Sequence, residues 1–135
     1  MGGLSKVLKA AGIILAFLII IGVGAYALLA VIANKNLSML EYKDVDMNTV
    51  ADGVYQGEAD ARLVYVKVEV TVKDHLIGDI KILEHKNGMG GKAESITEAM
   101  IEKNSYEVDA ISGATLSSEA IKSAVSKALK KGCSV

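Results

Sequence analysis

The chain has 135 residues, with 15 Lys and Arg against 16 Asp and Glu, one cysteine and no proline. A single cysteine excludes an internal disulfide and a cysteine-rich zinc site, and a near-neutral balance without a basic patch argues against nucleic acid as a partner. The length allows one modest domain, and part of it is taken by an apolar run.

Residues 1–9 form a short flank carrying Lys6 and Lys9. From Ala10 to Ala33 the chain reads AAGIILAFLIIIGVGAYALLAVIA, 24 residues without a charge. As a helix this run spans roughly 36 Å, and a bilayer core needs about 20 residues. It has no polar face, so it reads as a transmembrane helix over 10–33 rather than as a buried globular helix. A cleaved signal peptide is the alternative, but its apolar region is typically only about 7–15 residues. Lys6 and Lys9 on the short flank place the N-terminus in the cytoplasm. The expected location is therefore the cell membrane, crossed once, with the rest of the chain outside the cytoplasm.

Residues 34–51 are polar and read as a linker, 52–131 as the folded domain and 132–135 as a tail. The domain opens at DGVYQGEA, where glycines bracket a short strand at Val54 and Tyr55. Val64, Val66, Val68, Val70 and Val72 then alternate with Lys67, Glu69 and Thr71, the period of a half-buried strand. KDHLIG makes a turn, and Ile77–His85 returns with Ile80 and Ile82 on one face, giving a β-hairpin. A glycine-rich loop, Lys86–Lys92, leads to a helix from about Ala93 to Lys103 that buries Ala93, Ile96 and Met100. After an irregular segment, a last helix runs from about Ser117 to Lys131 with the stripe Ala120, Ile121, Ala124, Val125, Ala128 and Leu129. Gly132 is placed to stop it after a basic last turn. The order implies an α+β fold, a small antiparallel sheet with helices packed on it, preceded by one transmembrane helix.

The segment DAISGATLSS precedes that last helix. A helix N-terminus has unpaired N–H groups and partial positive charge, which suits phosphate. Gly113 and Ala114 let a ligand approach the backbone, and the hydroxyls of Ser112, Thr115, Ser117 and Ser118 can donate to phosphate oxygens. The plainer reading has Ser117 or Ser118 capping the helix and Asp109 as a turn acid.

Asp109, Ser112, Gly113, Ala114, Thr115 and Ser117 together resemble the signature of the FMN-binding domain family, which includes the C and G subunits of sodium- or proton-translocating NADH:quinone and ferredoxin oxidoreductase complexes. DGVYQG resembles the family's opening turn and strand. HKNGMGG stands where larger members have a histidine and a longer loop containing proline, so contacts to the isoalloxazine ring are not carried over directly. The resemblance spans roughly Asp52 to Leu129. It implies FMN held by a phosphoester on Thr115, with Asp109, Ser112, Gly113, Ala114, Ser117 and Ser118 around it. By position, Met89 packs on the flavin or into the core, Gly88 and Gly90 permit close approach, and His85 is a flavin contact or a strand-end residue. It also implies a flavin transferase for maturation and membrane redox proteins or a quinone-linked oxidoreductase as partners.

No GxGxxG motif opens a βαβ unit, so the chain reads as an electron carrier or subunit rather than a complete oxidoreductase. The rival readings are a module binding FMN or another phosphate-bearing ligand non-covalently, and a cofactor-free structural subunit. A hydrolase is disfavoured, because His75 and His85 stand at a turn and a strand end with no evident triad.

Overall fold

The structure, a computed structural model, describes residues 2–86 and 91–133. It divides into two units, 1–35 and 36–135. The first is nearly all of helix α1 (Gly2–Leu37), which is long and apolar enough to cross a membrane. Its large side chains, Phe17, Ile20 and Leu29 among them, are exposed on every side. An all-round apolar surface of this kind suits surroundings of lipid rather than water.

The second unit is built on three antiparallel strands in the order β1 (Gly53–Asp60), β2 (Tyr65–Lys73) and β3 (Leu76–Lys86). The alternation in β2 sorts its side chains between the two faces. Val64, Val66, Val68, Val70 and Val72 are all buried, and Lys67, Glu69 and Thr71 face outward. Ile82, Ile80 and Ile77 of β3 pair with Val68, Val70 and Val72, with register shifts at Lys67/Val68 and Thr71/Val72. These irregularities put Ile77 and Ile80 on one face although they are three residues apart, so strict period two fails in β3. The outer face is a solvated ladder in which Glu58 and Glu84 flank Lys67.

The hairpin turns on Asp74 and His75, both left-handed (φ 52° and 62°), as a two-residue primed turn requires. Three contacts hold it. Asp52 Oδ1 accepts from Asp74 N–H at 2.8 Å, His75 Nδ1 donates to Val50 O at 3.1 Å, and Asn104 Oδ1 accepts from Ile77 N–H at 2.8 Å. Asn104 is also the left-handed cap that ends α2 (Ile96–Lys103), so one residue stops a helix and fastens a strand. A 3₁₀ turn over Gly91–Ser95 precedes α2, and Ala93, Ile96 and Met100 are fully buried.

Helix α3 (Thr115–Gly132) packs on β1 and β2, and its expected apolar stripe is entirely buried. Gly57 makes this packing possible. A Cβ there would lie 2.1 Å from Ala124 O and 2.7 Å from Ala128 N, so helix and strand meet backbone to backbone. Gly132 is the last helical residue rather than a left-handed stop beyond the helix. Its role is spatial, because a Cβ would lie 2.6 Å from Tyr55 Cζ.

The segment read as a linker is laid along α3 from Leu40 onward. Ser123 Oγ donates to Glu41 O, Lys43 N–H donates to Ser126 Oγ at 3.1 Å, and Lys130 Nζ donates to Asp44 O at 3.0 Å. Leu40 and Val50 enter the core, and Val50 bridges Cys133.

Gly57→Ala is expected to destabilise the 36–135 unit by about 3 kcal/mol or more, since backbone rather than a flexible side chain must yield. Urea unfolding of the variant measures this loss.

Candidate functional site

Tyr55 lies against Gly132, and Gly57 against Ala124 and Ala128. Helix α3 therefore runs antiparallel to β1, with its N-terminus toward the end of the sheet where β1 leads into β2. The motif loop reaches this end through a tight turn. Ala114 N–H donates to Ile111 O at 3.0 Å, and Gly113 takes φ 78°, which a non-glycine residue adopts only with strain.

The four hydroxyls separate into two pairs. Ser112 and Thr115 are exposed, whereas Ser117 and Ser118 are buried. Ser118 Oγ accepts from Ile111 N–H at 2.9 Å and donates to Ala114 O at 2.7 Å. It fixes the loop against the helix. The helix begins earlier than the apolar pattern indicates, at Thr115, and its N-cap is Ala114. No side chain caps it, which corrects the reading of Ser117 or Ser118 as caps. The positive end of α3 thus presents N–H groups beside an exposed threonine.

Lys92, which the sequence reading did not single out, stands over this turn. A Cβ at Gly113 would lie 2.7 Å from its Nζ. The only sequence signal was a lysine closing a glycine-rich loop just before a helix. Its 3₁₀ turn is tied to β3, because His85 Nδ1 donates to Glu94 Oε1 at 3.0 Å. The His85 side chain is only 3% exposed, so it serves as an internal fastening of the strand end. Gly88, Met89 and Gly90 lie outside the described residues.

Asp109 is exposed. It walls two open grooves of about 470 Å³ each. One is shared with Tyr42, Tyr106, Glu107, Val108, Glu119 and Lys122, the other with Ala99, Glu102, Lys103 and Val108. Neither groove is lined by residues 112–115. In the first, the Tyr42 and Tyr106 rings stack at 6.4 Å with an 18° interplanar angle, and Tyr42 OH donates to Glu119. Burial, then the bond to Glu119 and its charge, hold the Tyr42 hydroxyl well above the usual phenol range. Burial, and then the charges of Glu107 and Asp44, raise Tyr106. Both tyrosines stay neutral; Tyr42 acts as a hydrogen-bonding group, and the two rings pack together.

A phosphate-bearing cofactor fits the residues at the turn. An exposed hydroxyl, an uncapped helix N-terminus, a glycine that leaves the backbone open and a lysine ammonium occur together. Ser118→Ala removes both of its loop contacts and is expected to cost about 1–2 kcal/mol. Amide hydrogen exchange should show faster exchange at Ile111 and Ala114 with the sheet unaffected.

Residues 65–130 match the model of the family described as FMN-binding domain. The match takes in β2, β3, α2, the motif and nearly all of α3. The match covers the part of the domain that holds the candidate site and supports a flavin-binding role for it.

Proposed function

We propose that this chain is a membrane-anchored flavoprotein that carries FMN as a phosphoester on Thr115 and relays electrons between membrane redox partners. The observation that carries the reading is Thr115 itself, an exposed hydroxyl at the first position of an uncapped helix within an FMN-binding domain. Burial of Ser117 and Ser118 leaves Ser112 as its competitor.

A threonine hydroxyl needs an activating base, and the described residues around Thr115 supply no such contact. The proposed modification therefore uses a flavin transferase with FAD as donor. Thr115 Oγ bonds to the phosphorus on the flavin side of the pyrophosphate, the bond to the adenylyl oxygen breaks, AMP leaves, and the hydroxyl proton passes to solvent or a transferase base. No electron changes hands in this step. When attached, the flavin supplies the redox chemistry, and the protein sets its exposure and electrostatics. Asp109 acts in this reading as part of the sequence the transferase recognises.

In the proposed topology α1 crosses the cell membrane with its N-terminus in the cytoplasm, supported by Lys6 and Lys9 on the short flank. The domain then lies outside, where lost cofactor is not replenished, and a covalent bond keeps it in place. The partners are membrane redox proteins or a quinone-linked oxidoreductase.

The test is flavin fluorescence of the denatured protein in a gel after co-expression with a flavin transferase. Wild type and Ser112→Ala are expected to fluoresce, Asp109→Ala to fluoresce less, and Thr115→Ala not at all. Fluorescence in Thr115→Ala but not in Ser112→Ala would move the bond to Ser112. A wild type that is yellow when native and dark when denatured would establish the non-covalent module instead.

A further inference from the structure

Lys92 Nζ projects to within 2.7 Å of where a Gly113 Cβ would be, beside the N-terminus of α3. Lys92 is exposed, and both features are positive, so together they favour an anion at this point. Among the described residues no carboxylate pairs with this ammonium. Glu94, two residues on, is engaged by His85. The backbone puts Lys92 there through a chain of fixed points. His85 anchors Glu94, Ser95 Oγ donates to Lys92 O at 3.0 Å, and Ala93 is fully buried. The glycine at 113 both accepts the left-handed turn and leaves room for the ammonium.

We propose that Lys92 is the counter-ion of the FMN phosphate and, with the N–H groups of α3, holds the phosphodiester against the turn at Gly113. The inference rests on the reading that FMN is attached at Thr115. An attached diester keeps one negative charge, which matches one ammonium. Lysine suits this task as a point charge that follows a phosphate through rotation about the ester bond. The arrangement gives the β3–α2 connection a function in the site. It brings a cation from one element to the turn that precedes the hydroxyl of another.

The experiment compares the flavinylated protein, made with a flavin transferase, with the same chain made without it. Each is acetylated briefly with a lysine reagent and peptide-mapped, with Lys81 on the solvated outer face as the internal reference. Flavinylation is expected to slow acetylation of Lys92 about fivefold relative to Lys81, the scale of a partly exposed charge-assisted bond. In the ³¹P spectrum of flavinylated protein, Lys92→Gln should shift the diester resonance, and Lys92→Arg should return it toward wild type. A flavinylated wild type whose Lys92 reacts as fast as in the flavin-free chain overturns the assignment of Lys92 alone. A wild type with unchanged mass and no diester resonance overturns the attachment reading and this inference with it. The acetylation comparison uses only the native sequence, so it holds whether or not the variants are flavinylated.

Discussion

The contact of α3 with β1 at Gly57 is the constraint on which the domain depends. Helix and strand approach until the Ala124 carbonyl and the Ala128 amide occupy the place a side chain would take. At that separation the small residues of α3 lie flat on the sheet, and Ile121, Val125 and Leu129 reach into the valine face of β2. The same contact sets how far α3 extends along β1. Its last residue comes under the Tyr55 ring, and its first residue, Thr115, comes to the opposite end of the sheet. The position of the candidate site thus follows from a glycine that packs against the middle of the helix rather than at its end.

The other side of α3 is covered by the segment from Leu40 to Val50, which binds the helix through backbone groups rather than through an apolar pattern. Ser123 and Ser126 exchange hydrogen bonds with Glu41 and Lys43, and Tyr42 reaches Glu119. Helix α3 is therefore enclosed between a sheet and a strap, which is why it buries serines as well as alanines. The strap continues directly from α1. Tyr42 of the strap lines the groove beside Asp109.

Much of this was legible in the sequence, for definite reasons. The five valines of β2 alternate without interruption, and a half-buried strand is the only regular element with that period. Helix α3 was legible from its stripe, but its start was not, since Ala114 is a poor cap and nothing local marks Thr115 as helical. The register shifts in β3 depend on the partner strand. The strap was hidden because serine and backbone carbonyls carry no periodic signal. At the site, the motif was visible as a contiguous string, and exposure then separated Ser112 and Thr115 from Ser117 and Ser118. Lys92 was not visible, because its place over Gly113 arises from a β3–α2 connection distant in sequence from the motif.

These elements give one physical account. A rigid helix presents an uncapped positive end, an internal serine fixes the turn before it, and a lysine from a separate element supplies the matching charge. Such a place favours a phosphate over an uncharged ligand, and the exposed threonine beside it is the proposed point of attachment. The most direct measurement is the intact mass of the full chain purified from membranes of cells expressing a flavin transferase, followed by peptide mapping. The account predicts a gain of one FMN less one water, located on Thr115. An unmodified mass from cells in which the transferase flavinylates another substrate would contradict it.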